Sequence, residues 1–437
     1  MNKAKNELLT IDPKILDGAL VTLGDYYGSI SAARLLGKHG VPIYFADHRR
    51  LVSGKFSRYV TKRLLSPPVN LVSSFYEWLL YFGRNNHGFM LYPTSDDLAW
   101  IIASRRDELS KYYKLYQPSI DSIYQLLNKE RLFKIAQRLG VKAPRTLFPK
   151  DLSRFEKDVE SMRYPCLIKP RTQMCFESKQ KGKHCETYEN LKKDYPAFMQ
   201  KFIYHEDIIK YDPDVVWPMV QEYHPEAMEH TYSIAGFITE DGQNFSMRAS
   251  QKVLQRPRRL GIGVCFEGRP VRPDIRDHIL SICRSTGYFG AFEAEFIQIK
   301  DNFLLIDFNP RYYSQMAFEE ARGLPLSLLT YLGAHGKVAE MNEILSRKDL
   351  DQGREHLNIY SHHFLLVLLL TTQWLGGRMT FQERRHWLLW KDKQKKNYTD
   401  AVADPEDFWP FFIDLIMHIK NFIRHPRDFL RKYFGRA

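Results

Sequence analysis

The chain of 437 residues is 44% apolar and 26% charged, and its 64 Lys and Arg against 51 Asp and Glu give a formal charge of +13. Such a composition excludes global disorder, allows two or three domains with buried cores, and favours anionic partners such as nucleotide phosphates, nucleic acid or an acidic membrane surface. Five cysteines (Cys166, Cys175, Cys185, Cys265, Cys283) form no CxxC pair and are too sparse for a disulfide framework, so a reducing cytoplasm is expected.

The first fifteen residues lack the apolar core of a signal peptide. An apolar strand at Gly18 to Leu23 leads through Gly24-Asp25-Tyr26-Tyr27-Gly28 into a helical pattern, and a second strand, Val41 to Ala46, ends at Asp47. A helix around Phe75 to Phe82, a strand at Phe89 to Tyr92 and a helix from Ser95 continue the alternation, which predicts βαβ units and a parallel sheet. The glycine pair does not make a dinucleotide fingerprint and reads as a tight turn without a cofactor.

Leu126 to Gly140 is amphipathic and predicts one helix, with Lys129 in its first turns on the side away from most apolar positions. Lys169 ends an apolar strand, Tyr164 to Lys169, and Pro170 follows it. A lysine placed in this way suits a phosphate or an exposed strand cap. Arg171 to Lys183 is a polar, basic loop with the pattern of a lid. Val215 to Ile238 reads as strand, turn, strand, the first ending at Gln221-Glu222-Tyr223. Arg248 to Arg259 is densely basic and runs into Gly261 and Gly263, the pattern of a solvated loop or an anion site.

A helix from Arg272 to Gly287 delivers the chain to a hairpin, Gly290 to Arg311, turning at Lys300-Asp301-Asn302. Alternation places Phe292, Ala294 and Phe296 on one face and Glu293 and Glu295 on the other. In the second strand Leu304, Ile306 and Phe308 form the expected apolar face, and Asp307, Asn309 and Arg311 point the other way. Glu295, Asp307 and Asn309 thus share one side: hard oxygen ligands on a rigid hairpin, or an ordinary solvated face. After a helix from Leu324 to Gly333, acid and base chemistry thins out beyond residue 336. Asn358 to Trp374 predicts a packing helix. Arg378 to Lys396 is basic and aromatic, and Phe411 to Arg436 is a basic amphipathic tail, suited to an anionic membrane or to packing on the body.

In this order, Lys129, Lys169, Gln221-Glu222-Tyr223 and the hairpin ending Asp307-Phe308-Asn309-Pro310-Arg311 resemble the ATP-grasp superfamily. Within it they resemble the carboxylate–amine ligases, and the N-terminal part looks like the domain preceding the ATP-grasp domain in D-aspartate-ligase-like proteins. The resemblance implies an α/β and α+β multidomain chain. A Rossmann-like pre-ATP-grasp domain would cover residues 1–122, a two-lobed ATP-grasp domain 123–335, and a basic, mainly helical extension 336–437. It further implies that Lys129 and Lys169 contact ATP phosphates and that Gln221, Glu222 and Tyr223 lie at the adenine and ribose. Glu295, Asp307 and Asn309 would hold Mg2+ (or Mn2+), and Lys252 and Arg311 would meet the phosphate in transfer. Gly182 is the single glycine in a loop that is often glycine-rich in the family, so Lys179, Lys181 or Lys183 would cover the phosphates, and Asp307 stands where glutamate is commoner.

The implied activity is ADP-forming C–N ligation through an acyl phosphate, with small-molecule carboxylate and amine substrates, an amino acid or cell-envelope precursor among them. Two alternatives are an ATP-grasp enzyme with a non-amine acceptor and a non-catalytic nucleotide- or membrane-binding protein. No nucleic-acid partner is expected, since the basic residues are dispersed and no recognised binding module is present. A cytoplasmic location is expected. Peripheral contact with the inner membrane face and a homodimer stay open.

Overall fold

A computed structural model describes residues 17–174, 182–201, 203–256, 262–346, 358–393 and 397–426. The N-terminal segment, Cys175, Lys179, Lys181, Arg258, Arg259, Gly261 and the tail beyond residue 426 lie outside the described residues.

The chain builds three sheets. Strands β1 (Ala19–Thr22), β2 (Ile43–Asp47), β3 (Val60–Leu65) and β4 (Met90–Leu91) form a parallel sheet in the order β3-β2-β1-β4. β1 is buried throughout, as a strand with helices on both faces must be, and its apolar run reflects this. The expected helices appear as Tyr27–Lys38, Val72–Asn85 and Asp96–Ser104, the last capped by Ser95, which accepts from the Leu98 amide. β3 was not expected, because it is an exposed edge carrying Lys62 and Arg63 rather than an apolar run.

The second sheet is small and antiparallel, in the order β5-β8-β6-β7: β5 (Thr146–Leu147), β6 (Cys166–Lys169), β7 (Lys183–Cys185) and β8 (Met219–Glu222). Before it, the single helix expected from Leu126 is two helices, Ile120–Leu127 and Lys129–Arg138. They break at Asn128, whose side chain accepts from the amides of Glu130 and Arg131 and so starts a new helix.

The third sheet has seven strands: β9 (Thr231–Ile238), β10 (Phe245–Arg256), β11 (Ile262–Arg269), β12 (Gly290–Ile299), β13 (Asn302–Asn309), β14 (Ile359–Ser361) and β15 (Tyr398–Asp400), in the order β13-β12-β9-β10-β11-β14-β15. All neighbours are antiparallel except β14 and β15. The basic stretch from Arg248 is not a solvated loop: Arg248 to Arg256 belongs to the middle strand β10. Arg248 is buried there, donating to the carbonyls of Met247 and Arg322. Neither is Asn358 to Trp374 one helix, since β14 precedes the helix His363–Leu375. The extension expected to be mainly helical therefore also lends two strands to this sheet.

The helices of that extension cover the sheet's far end. Leu254, Val264 and Cys265 pack with Leu366, Leu369, Leu370, Trp387 and Trp390 in a separate apolar cluster, and the Trp390 indole donates to Glu267 at 2.7 Å. The chain then returns to the first domain. Asp407 receives the Arg34 guanidinium at 2.8 Å, and the last helix, Trp409–Arg424, lies on the turn Ser53–Phe56.

One glycine controls how the first domain meets the hairpin. Gly28 opens the helix after β1, and a Cβ there would lie 2.3 Å from the Tyr313 carbonyl oxygen, just past the hairpin's exit. Because the obstacle is backbone, it cannot rotate aside. Gly28→Ala should lower stability by about 1–3 kcal/mol, read as a lower urea midpoint at unchanged m. An unchanged midpoint would mean that the two segments part without cost.

Candidate active site

The β12–β13 hairpin carries the site because of its register. Glu295 pairs with Asp307 and Glu293 with Asn309, so two acids, an amide and a third acid stand on one face of adjacent strands. The buried face is not the one expected for β13. Phe303, Leu305 and Phe308 are buried, whereas Leu304 and Ile306 are half-exposed, and Ile306 lines the cavity. A bulge opposite Glu295 and Phe296 shifts the alternation by one residue between Leu305 and Asp307. That slip keeps Asp307 aligned with Glu295.

Two lysines and an arginine reach these oxygens from different elements, and a third lysine stands in the same cavity. Lys129, at the start of its helix, reaches Asp307 Oδ1 at 2.5 Å and is buried rather than a surface residue. Its backbone is held by the Arg171 carbonyl, and Arg171 is itself buried against Glu130. Lys252 of β10 donates to Glu295 Oε1 at 3.1 Å. Lys169, at the end of β6, donates to Gln221 Oε1 at 3.3 Å. Arg311 donates to Asn309 Oδ1 at 3.0 Å and to the Tyr26 hydroxyl at 3.1 Å, and pairs with Asp96. The turn read as bare punctuation thus contributes Tyr26, and the next βα unit contributes Asp96.

The electrostatics follow from this crowding. Burial pushes Lys169 down to about 8, reinforced by the charge of Lys129. Burial works to raise Asp307, but Lys129 outweighs it and holds the carboxyl below its ordinary value. Glu293 is pushed up to about 8, first by burial and then by Glu295 and Glu319. It also meets the amides of Asn309 and Gln315. Sequence reasoning placed Glu293 on the face of Glu295 and passed it over; the alternation was the signal.

Ten of the residues singled out from the sequence line one cavity of about 770 Å3: Lys129, Lys169, Gln221, Glu222, Tyr223, Lys252, Glu295, Asp307, Asn309 and Arg311. Lys183, expected to cover the phosphates, does not line it and pairs with Asp194 at 3.4 Å. At the β8 end, Glu222 accepts from the Arg145 amide and from His224, both at 2.8 Å, while Gln221 bridges Lys169 and Thr146. The donor set suits a hard dication. Glu295 and Asp307 are carboxylates, their neighbour is an amide oxygen, and a bound cation would offset the charge of Glu295 that adds to burial in raising Glu293.

The extension, where acid and base chemistry was expected to thin out, also lines the cavity, with Tyr360, His362, Asp414, Met417, His418 and Asn421. His362, Asp414 and His418 gather closely enough to surround a cation. However, His362 Nδ1 accepts from the Leu365 amide at 3.3 Å, which leaves its proton on Nε2 to be donated to Asp414 at 2.9 Å. With that polarity Nε2 has no lone pair for a metal. Asp414, also near His418 Nε2 (3.5 Å) and the Ser53 hydroxyl (3.3 Å), works as a junction that holds the last helix in place. Nothing in the sequence signalled it, since His362 and Asp414 are far apart in the chain and lie on different elements.

No protein-family model and no curated protein matches the chain. Solved structures do. The biotin carboxylase domain dimer of Hydrogenobacter thermophilus 2-oxoglutarate carboxylase, in complex with MgADP, ADP and bicarbonate, superposes at a TM-score of 0.58 with 14% identity over 73% of this chain and 69% of that one. Staphylococcus aureus N5-carboxyaminoimidazole synthetase complexed with ADP gives 0.54, 12% identity, and 73% and 77% coverage. The L-amino acid ligase of Bacillus licheniformis gives 0.53, 12% identity, and 73% and 74%. With its seven-stranded and four-stranded antiparallel sheets lining one cavity beside a parallel sheet, this chain shares the fold of these solved structures.

Proposed function

We propose that the protein is an ADP-forming carboxylate–amine ligase that makes a C–N bond through an acyl phosphate. The observation that carries this reading is the meeting of Lys129, Lys169, Lys252 and Arg311 with Glu295, Asp307 and Asn309 in one cavity. An amine cannot attack a carboxylate carbon productively, because oxide would have to leave. Attack of a carboxylate oxygen on the γ-phosphorus of ATP expels ADP. Attack of the amine nitrogen on the resulting acyl carbon then expels phosphate.

Glu295, Asp307 and Asn309, with Glu293 beside them, would hold magnesium or manganese, which when bound neutralises phosphate oxygens. Lys129 and Lys169 would bind the nucleotide phosphates, and Gln221, Glu222 and Tyr223 the adenosine. Lys252 and Arg311 would steady the phosphoryl group in transfer, Arg311 being oriented by Asp96 and Tyr26. In this reading residues 1–122 orient Arg311, residues 123–335 hold the nucleotide, and residues 336–437 wall the acceptor end. The substrates are a small carboxylate and amine, an amino acid or cell-envelope precursor among them. A cytoplasmic homodimer completes the reading, with the dimeric Hydrogenobacter domain as its support. Among the described residues, no helix is long and apolar enough to cross a membrane.

ADP release with magnesium over a panel of carboxylates and amines tests the reaction. A productive pair is expected, and Glu295→Gln and Asn309→Ala should each lower kcat about 100-fold or more. Equal turnover by both variants would remove the metal assignment, and ATP binding without ADP release from any pair would remove the ligase.

Lys169 gives a second test. In the free protein it titrates near 8, and phosphate charge favours its protonated form, so its pKa must rise when the nucleotide binds. Calorimetry near pH 8 in buffers of different ionisation enthalpy should show that MgATP binding takes up fewer protons, or releases more, in Lys169→Met than in the wild type, the release from Glu293 being common to both. An equal proton balance in the two proteins would place Lys169 away from the phosphates.

A further inference from the structure

The helix Trp409–Arg424 buries Pro410 and Ile413 yet turns a second apolar stripe away from the body. Its inward side presents Asp414, Met417, His418 and Asn421 to the cavity. Its outward side presents Phe408, Phe412, Ile419 and Ile423, at the four- and seven-residue spacing of one helical stripe, each between 41% and 70% exposed. Trp409, 59% exposed, flanks the stripe at its start. Large apolar side chains aligned in water along one helix mark a contact surface.

Charge identifies what the surface meets. The helix has a single carboxylate, Asp414, and it is buried, whereas Lys420 and Arg424 are exposed. The sequence that follows adds Arg427, Arg431, Lys432 and Arg436 against Asp428 alone. Two copies meeting through this patch about a two-fold axis would bring the same cations together, which opposes a self-complementary dimer. An anionic bilayer offers the complementary charge and takes aromatic and aliphatic side chains at its interface. At 16 residues the helix is too short to span, so it would lie in the plane of the surface.

We propose that the outward face of Trp409–Arg424 seats the protein on an anionic lipid surface. The stripe enters the headgroup boundary, the basic end faces the lipid phosphates, and the cavity wall stands about 10 Å away, one helix diameter. This docking needs no nucleotide, so it stands or falls separately from the ligase reading.

Sedimentation of the full chain with phosphatidylcholine vesicles, with and without about 30 mol% phosphatidylglycerol, provides the test. The wild type should pellet with the anionic vesicles and not the neutral ones, and less as salt rises. Ile419→Glu with Ile423→Glu, at exposed positions outside the cavity, should weaken binding about tenfold or more with unchanged thermal unfolding. Lys420→Glu with Arg424→Glu should do the same. The proposal is overturned if no anionic vesicle binds the wild type at low salt, or if the stripe variant pellets as well as the wild type. A stripe variant that instead turns a dimer into a monomer in light scattering, with no vesicle binding by the wild type, would assign the face to a second copy.

Discussion

Acidic side chains forced onto one face of two adjacent strands set the terms for the rest of this structure. The register that opposes Glu295 to Asp307 and Glu293 to Asn309 cannot be relaxed without turning Phe292, Ala294 and Phe308 out of the core. The carboxylates must therefore be compensated where they stand. Cations come from three separate elements: the Lys129 helix, strand β10 and, after β13, Arg311, which Asp96 orients. Each partner is tied to its own sheet, so meeting the hairpin's charges also fixes how the sheets face one another.

That compensation is incomplete in a direction that matters for chemistry. Lys169 is held near 8 by burial and by neighbouring cations, and Glu293 is raised by burial and neighbouring acids. Like charges stand too close on both sides of the cavity, which is the state expected of a site shaped for a ligand that brings anionic phosphates together with a dication.

How much of this was legible depends on whether the signal was local. The hairpin was, because period-two alternation and a short turn are written in consecutive residues, and Glu293 was visible by the same rule. The bulge at Ile306 was not, since it answers to the pairing of the partner strand rather than to any residue in β13. Lys129 lies on its helix's polar side, so no local pattern announces its burial, which only the facing hairpin supplies. β14 and β15 are three residues each and owe their existence to the edge that β11 offers. His362 and Asp414 meet only after the intervening chain has packed two helices on the sheet, a juxtaposition no spacing rule encodes.

The last helix shows why amphipathicity alone does not orient an element. Periodicity reports that two faces differ, and for a helix on a closed core the apolar face turns inward to escape water. Here the inner neighbour is in part a polar cavity, and the buried Asp414 anchors the helix through His362 and Ser53 beside the apolar contacts of Phe411 and Ile413. Once those hydrogen bonds fix its rotation, Phe412, Ile419 and Ile423 have no direction left but outward. Their exposure is the cost of giving the cavity a polar wall. The hydrogen bonds at Asp414 and the apolar stripe behind it are therefore one arrangement, because the rotation that the first fixes is what turns the second outward.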